Sequence, residues 1–192
     1  MKKILIIYGH PLKDTFAESL RDSYMKGAKE SGAEVKIINL YELNFEINLS
    51  QGYRKDIELE EDLKSAQEMI KWCDHMLMIW PNWWSTYPAL FKGFIDRTFL
   101  PGFAFNYRKG SLLWDKNLKG RSARLIMTMD TPVWYYYLVY RAPGINSIKK
   151  GVLHFCGIKP VKSTLLGPIK QSTDEKRKSW NTKVYNLGLK QI

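Results

Sequence analysis

The chain has 192 residues, 45 % of them hydrophobic, and its 30 basic and 19 acidic residues give a formal net charge of +11. This length favours one domain over residues 1–192, and no apolar run is long enough to cross a bilayer, so we expect no integral membrane association. The positive charge permits binding to nucleic acid, but no recognition motif accompanies it. We therefore expect no nucleic-acid partner and favour anionic small molecules such as dinucleotides.

Strand and helix patterns alternate five times along the chain. The apolar run 3–8 predicts a buried strand, and it is too short to be a secretion signal, so we expect a cytoplasmic protein. Thr15 and Glu18 fit a capping box at the start of a helix that ends at Gly32. Further strands are predicted at 35–40, 75–80, 124–129 and 160–166, further helices at 63–72, 88–99, 145–155 and 173–189, and irregular segments at 41–59, 103–120 and 130–144.

This alternation is typical of an α/β protein with a parallel sheet that helices cover on both faces. Five such strands predict a three-layer, flavodoxin-like fold with strand order 2-1-3-4-5. In that fold the loops after the first, third and fourth strands open at one edge of the sheet. Ligands of open α/β sheets bind at this edge, so these three loops are the candidate site.

The first loop, residues 9–16, precedes a helix N-terminus, where free amides and the positive end of the helix dipole favour a phosphate. His10 and Thr15 add hydrogen-bond donors there. The alternative is a simple helix cap beside a surface histidine. The glycine patterns of a Rossmann fingerprint and of a P-loop are both absent.

The second loop carries three tryptophans and a tyrosine between Trp80 and Tyr87. Large aromatic side chains in an exposed loop are costly unless something flat covers them, which indicates a planar ligand. Asn82 and the backbone of residues 83–85 are suited to hydrogen-bond the polar edges of a ring. The alternative is that these rings only pack a corner of the core.

The third loop, residues 128–137, offers hydroxyl groups and more aromatic rings. One phosphate seat and two ring-binding loops together describe a ligand like flavin mononucleotide (FMN) better than a sugar. The histidines are far apart, and neither they nor Cys73 and Cys156 have metal-ligand spacing, so we expect no metal site.

Four stretches of the chain resemble the NAD(P)H:quinone oxidoreductases of the DT-diaphorase and modulator-of-drug-activity type. They span most of the chain in the family's order, and the third is the most specific. They are Gly9-His10-Pro11 with Thr15-Phe16, Leu40-Tyr41 with Asn44-Phe45, Trp80-Pro81 through Asp96-Arg97 with Phe103-Ala104-Phe105, and Gly151 through Gly157.

The resemblance implies a flavin enzyme that works as a homodimer, with two active sites at the subunit interface. NAD(P)H gives a hydride to flavin N5, and a flat electron acceptor such as a quinone then takes two electrons in the same place, a ping-pong reaction. The chain lacks the long C-terminal domain of the animal enzymes, which favours FMN over FAD. The sequence does not distinguish NADH from NADPH.

The resemblance also implies site residues by position. Those facing the ribityl phosphate tail are His10, Thr15, Phe16, Ala17 and Ser19. Those lining the isoalloxazine ring are Pro81, Asn82, Trp83, Trp84 and Ser85, and those at its other edge are Thr128, Met129, Asp130 and Thr131. Trp134 and one tyrosine of the run 135–137 cover the substrate face, so Trp134 and Tyr136 are the catalytic candidates.

The chain departs from the family at three places. Ala17 stands where members often have Asn, and Asp130 would oppose reduction of a nearby flavin, so we expect its side chain to point elsewhere. The histidine proton donor of the animal enzymes has no counterpart between Tyr135 and Gly144, which leaves Tyr136 or water for that role.

Two other readings stay open at this point. Trp83, Trp84 and Trp134 are packing residues in one of them. In the other, the chain is a flavin-binding regulatory or ancillary subunit that docks on a membrane transport protein through the basic segment 170–178.

Overall fold

A computed structural model of the chain describes residues 1–50, 52 and 58–192. Five parallel strands form one sheet in the order β2-β1-β3-β6-β7, and β4 and β5 pair separately as an antiparallel hairpin. The predicted order 2-1-3-4-5 of the parallel strands is therefore confirmed. The strands are β1 Lys3–Tyr8, β2 Glu34–Asn39, β3 His75–Pro81, β4 Phe105–Tyr107, β5 Trp114–Lys116, β6 Ser122–Thr128 and β7 Val161–Leu166.

The helices follow the predicted alternation, with differences around residues 130–155. They are α1 Phe16–Glu30, α2 Glu61–Trp72, α3 Ala89–Thr98, α4 Val133–Leu138, α5 Pro143–Asn146, a π-helix Ser147–His154 and α6 Asp174–Leu189, besides a short 3₁₀ turn Leu40–Glu42. The prediction of a loop over 130–144 missed α4, because its aromatic residues are weak helix formers. Part of the predicted irregular segment 41–59 lies outside the described residues.

Alternate residues of the central strands enter two separate cores, which makes the fold three-layered. On β1, Ile4 and Ile6 pack with α1 and α6 on one face, whereas Leu5 and Ile7 pack with α2, α3 and the π-helix on the other. A strand buried on both faces must be apolar throughout, as the sequence of β1 is. The central strands therefore present their ends to ligands.

The start and end of α1 are set by local signals. Thr15 is the N-cap, and its hydroxyl accepts a hydrogen bond from the Glu18 amide. Glu18 reaches back to the amide of Asp14 instead of that of Thr15, so the capping box is displaced by one residue. Gly32 has a φ of +82°, the left-handed conformation that the predicted helix stop requires.

Helices α1 and α6 approach each other closely at two glycines. A Cβ atom on Gly27 would collide with the carbonyl of Tyr185, and one on Gly188 would collide with the carbonyl of Tyr24. The backbones of the two helices are therefore in direct contact, and this contact fixes the position of α1 on the sheet.

Within residues 1–50, 52 and 58–192, no helix has the length and apolarity needed to span a membrane. In the same residues, no group of three or more His, Cys, Asp or Glu side chains is placed to hold a metal ion.

His75 predicts a pH dependence of stability. Its ring is buried at the start of β3, Nδ1 lies 2.7 Å from the Ser122 hydroxyl, and Nε2 has no partner among the described residues. Burial first, then the charges of Lys2, Arg124 and Lys162, lower its pKa to about 3. Because the unfolded chain binds a proton at this histidine near pH 6.5 and the folded chain does not, folding stability is lost as the pH falls below 6.5.

We expect His75 to reduce the free energy of unfolding by about 1.4 kcal/mol for each pH unit below 6.5, down to about pH 4. The measurement is urea unfolding of the wild type and of His75→Gln at several pH values. The difference between the two proteins isolates His75 from the titrating carboxylates. A difference that stays constant from pH 7 to pH 4 would contradict the expectation.

Candidate functional site

The structure brings the three predicted loops together at the carboxyl edge of β1, β3 and β6. The amide of Gly9 donates to Ile79 O at 2.8 Å, and the amide of Asn82 donates to Thr128 O at 2.7 Å. His10 from the first loop contacts Trp83 from the second edge-to-face, with ring centroids 6.3 Å apart. The first and second loops are thus in contact, and the second is tied to the end of β6.

The first loop presents hydrogen-bond donors. The Thr15 hydroxyl is held 2.6 Å from the Tyr8 hydroxyl, and the amides of Phe16 and Ala17 have no acceptor among the described residues. His10 Nδ1 accepts from the Leu12 amide at 3.0 Å, so the neutral ring carries its proton on Nε2. Burial lowers the pKa of His10, which favours this neutral form.

Glu18 is the one carboxylate in the first turn of α1. Its oxygens accept from the Asp14 amide at 2.5 Å and pair with Arg21 Nη1 at 3.0 Å. Arg21 therefore compensates the negative charge beside the helix N-terminus. A phosphate there would meet an ion pair instead of an unpaired carboxylate.

Three residues expected at the phosphate tail have side chains engaged elsewhere. Phe16 packs on Trp180 of α6, and Ala17 is buried in the core between α1 and the sheet. Ser19 donates its hydroxyl to Phe16 O and its amide to Thr15 O, so it has no donor left. The Ser19 side chain therefore has no free donor, and Phe16 and Ala17 offer only their backbone amides, so a role at the phosphate tail stays a prediction for all three residues.

The second loop is strained and exposes two aromatic rings. Trp80 is buried and stacked on Phe91, with its indole N–H donated to Thr86 O. Trp83 and Trp84 are 45 % and 99 % exposed. Trp84 and Ser85 have φ values of +50° and +63°, which cost non-glycine residues energy and are typical of functional sites. Trp80 is thus a core residue, whereas Trp83 and Trp84 are available to a ligand.

Unmatched polar groups line this same loop. The Asn82 side-chain oxygen is buried without a hydrogen-bond partner in the described part of the chain. The amides of Trp83, Trp84 and Ser85 likewise have no acceptor among the described residues. One acceptor and three donors beside exposed rings match a flat ligand with polar edges. Pro81, in contrast, is buried at the end of β3.

The third loop contributes less than the sequence suggested. The amide of Met129 donates to Leu166 O, its carbonyl accepts from Ile169, and its side chain is buried, so Met129 belongs to the pairing with β7. Asp130 accepts from the Lys170 amide at 2.8 Å, which confirms that its side chain turns away from β3. Thr128 is buried, and Thr131 is half-buried at the start of the loop.

The two catalytic candidates have different environments. Trp134 is 62 % exposed on α4, as a ring that covers a ligand must be before the ligand binds. Tyr136 is fully buried; its hydroxyl donates to Ser85 O at 3.1 Å and accepts from the Gly144 amide at 3.0 Å. Burial also raises the pKa of Tyr136. The hydroxyl proton of Tyr136 is used in the hydrogen bond to Ser85 O. The structure therefore favours a bracing role, in which Tyr136 holds Ser85 and Gly144 together, over proton donation.

The fold has known counterparts. A family model described as "Flavodoxin-like fold" matches residues 2–184. The chain belongs to this flavodoxin-like fold family.

Relatives within the flavodoxin-like family carry enzyme names. An "Uncharacterized NAD(P)H oxidoreductase" of Haemophilus influenzae is 28 % identical over 180 residues, which cover 91 % of this chain and 88 % of the relative. The "Ribosyldihydronicotinamide dehydrogenase [quinone]" of Mus musculus is 26 % identical over 223 residues, covering 97 % and 92 %. Family membership and these names confirm the resemblance drawn from the sequence.

Solved structures share the fold along nearly the whole chain. Smu.1420 from Streptococcus mutans superposes with a TM-score of 0.83 at 30 % identity, covering 98 % of this chain and 99 % of that one. An FMN-dependent NADH-azoreductase from Bacillus anthracis, solved in complex with FMN, has a TM-score of 0.69 at 18 % identity and covers 100 % and 99 %.

Two surface cavities of the described residues do not involve the first two loops, and the second of them includes Tyr137 at the end of the third loop. One, of about 470 Å³, runs between the β4–β5 hairpin, the end of α3 and the π-helix and is mostly apolar. The other, of about 510 Å³, is basic and includes Arg141, Lys149 and Lys150. Lys149 and Lys150 were not singled out from the sequence. The signal for them was the absence of Asp and Glu between residues 131 and 173.

The bracing role of Tyr136 can be tested by removing its hydroxyl. We expect Tyr136→Phe to lower the free energy of unfolding by about 1–2 kcal/mol, because the buried Gly144 amide loses an acceptor. Urea unfolding measures this change, and Tyr137→Phe is the matched control, since the Tyr137 hydroxyl has no partner among the described residues. A Tyr136→Phe protein of unchanged stability that loses one limb of its pH–rate profile would identify Tyr136 as a proton donor instead.

Proposed function

We propose that this protein is a flavin-dependent NAD(P)H:quinone oxidoreductase. The names of its relatives support an oxidoreductase that uses NAD(P)H. A bound flavin would supply the chemistry by accepting a hydride from NAD(P)H and passing two electrons to a flat acceptor such as a quinone. The two substrates would bind in turn against the same ring-lined surface. The residues of the chain would bind the flavin and the substrates, orient them and polarise the flavin ring.

The main structural support for this proposal comes from the second loop. Asn82 and the amides of residues 83–85 offer one acceptor and three donors that the described protein does not satisfy, beside the exposed Trp83 and Trp84. A flavin ring presents donors and acceptors along its edge and two flat faces. Amides aimed at the edge where negative charge develops on reduction would stabilise that charge without reorganising.

The first loop supports a phosphate at the other end of the ligand. The free amides of Phe16 and Ala17, the Nε2–H of His10 and the positive end of α1 are suited to a terminal phosphate, as in FMN. We therefore propose FMN, with FAD as the alternative that the experiment below distinguishes.

We also propose a homodimer, because α4 and the residues after it expose a continuous apolar surface. Trp134, Tyr137, Leu138, Val139 and Tyr140 are each at least 44 % exposed. Exposed patches of this kind usually mark an interaction surface. A second copy of the chain covering this surface would also cover the outer side of the flavin site, which excludes water from the ring.

The first test of the function is the visible spectrum of the purified protein, recorded anaerobically before and after NADPH or NADH. We expect flavin bands that bleach with a reduced nicotinamide and return on addition of a quinone. Chromatography of the flavin released by denaturation distinguishes FMN from FAD. A protein that stays colourless with added flavin would overturn the assignment and favour a docking role for the aromatic loops.

The second test is the affinity for flavin. We expect Asn82→Ala to weaken flavin binding roughly 5-fold, because one hydrogen bond contributes about 1 kcal/mol. Fluorescence quenching of the titrated flavin measures the dissociation constant. Asn186→Ala, an exposed asparagine on α6, is the matched control and should bind as the wild type does. Equal affinities for all three proteins would remove Asn82 from the site.

A further inference from the structure

The basic cavity lies between the α4–α5 connection, the π-helix and the edge strand β7. Its volume is about 510 Å³. The polar residues that line it are Tyr137, Arg141, Asn146, Lys149, Lys150 and Ser163. Apart from Tyr137, which belongs to the tyrosine run of the third loop, none of them was assigned a part in binding flavin or in electron transfer.

The charge of this cavity is uncompensated. Residues 131–173 include six Lys and Arg and no Asp or Glu. Arg141, Lys149 and Lys150 form no ion pair with any residue that the structure describes. The neighbouring His154 responds to the same field, because burial first and then nearby lysines, Lys149 and Lys150 among them, lower its pKa. The cavity is therefore suited to an anion of more than one charge.

The cavity also has an unsatisfied hydroxyl in its wall. Ser163 Oγ is buried and has no hydrogen-bond partner among the described residues. A hydroxyl left in this state is uncommon in folded proteins and points to a missing partner. A phosphate oxygen accepts from a serine hydroxyl and from the donors of Arg and Lys together.

A strained turn places Arg141 at the cavity. Arg141 and Ala142 have φ values of +59° and +50°. The turn is held by Ala142 N donating to Tyr136 O at 3.0 Å and by the Asn146 side chain donating to Arg141 O at 2.7 Å. Strain that the surrounding hydrogen bonds maintain is typical of residues placed for binding.

The cavity adjoins the proposed flavin site through two connections. Tyr136 links Ser85 of the second loop to Gly144, which lies between the cavity residues Ala142 and Ile145. Trp134 and Tyr137 are three residues apart on α4, so their Cβ atoms lie about 5–6 Å apart on one helix face. A substrate whose ring stacks near Trp134 can therefore extend its other end into the cavity.

We propose that this cavity binds the 2′-phosphate of NADPH and makes the protein prefer NADPH to NADH. The inference rests on the proposed function, in which a reduced nicotinamide dinucleotide binds at the flavin site, and on the expectation that Trp134 covers the substrate face of that site. The 2′-phosphate is a dianion at the end of the molecule remote from the nicotinamide. Arginine is a recurrent partner of this group in dinucleotide-binding proteins. A free phosphate ion has the same chemistry and is the competing occupant.

The kinetic test uses Arg141→Gln, Lys149→Gln and Lys150→Gln. We expect kcat/KM for NADPH to fall roughly 10- to 100-fold in Arg141→Gln and at least 3-fold in each lysine variant, because charged hydrogen bonds to the phosphate are lost. The value for NADH should stay within 2-fold of the wild type. Lys162→Gln is the matched control, since Lys162 is exposed on β7 and points to the face opposite Ser163.

Two kinetic results would overturn the inference. NADPH and NADH losing efficiency in parallel would mean that the cations act through their general field or the fold. Unchanged NADPH efficiency in all three variants would mean that the cavity is not used by the dinucleotide.

A binding test separates this inference from the proposed function, because it needs no turnover. Calorimetry compares the affinities of 2′-AMP, 5′-AMP and inorganic phosphate for the wild type and for Arg141→Gln. We expect 2′-AMP to bind the wild type at least 10-fold more tightly than the other two, and to lose this advantage in the variant. Inorganic phosphate binding as tightly as 2′-AMP would identify a simple anion site and overturn the assignment, even if the protein reduces quinones with NADPH.

Discussion

The parallel hydrogen-bond register of β1, β3 and β6 continues one residue beyond the strands, and the candidate site depends on this extension. The amide of Gly9 donates to Ile79 O, and the amide of Asn82 donates to Thr128 O. The three loops therefore begin at the same level of one sheet edge. Because β1, β3 and β6 are buried on both faces, a ligand approaches these strands at their ends. The candidate site is therefore positioned by the buried centre of the sheet, whereas Asn82 and the free amides of residues 83–85 lie in a loop.

Two strained turns lie on either side of one close contact. Trp84-Ser85 and Arg141-Ala142 both have left-handed backbones, and both lead into the region where Gly144 approaches the second loop. A Cβ atom on Gly144 would lie too close to Thr86 Cα, so no other residue fits there without a shift. Tyr136 completes the contact by bridging Ser85 and Gly144. The second loop and the basic cavity are thus held in place by the same contact between Tyr136, Ser85 and Gly144.

The sequence predicted the features that depend on neighbouring residues. Thr15 caps α1 and Gly32 ends it because both act through contacts within a few residues, and the apolar strands of the sheet were evident from their composition. The order of the strands followed from the known arrangement of five alternating strands and helices in flavodoxin-like folds. For the same reason, the three loops of the candidate site were placed correctly at one edge.

The sequence did not predict roles that depend on distant partners. Ser19 lies against Asn181, Met129 is held by Leu166 and Ile169, and no local pattern indicates either arrangement. Tyr136 belongs to a run of three tyrosines of which it alone is buried, and the run identifies the aromatic character without identifying the buried member. Such assignments need the packing of the whole chain.

The close approach of α1 and α6 at Gly27 and Gly188 has a consequence for the loop edge of the sheet. The free amides at the start of α1 lie eleven residues from Gly27, about 16 Å along the helix axis at 1.5 Å per residue. A helix is stiff over that length. A side chain forced between α1 and α6 would therefore tilt α1 as a rigid unit and displace its first turn. Helix α6 thereby influences the position of the free amides at the start of α1. A change in the sequence of α6 would then move these amides while the sequence of the first loop stays the same.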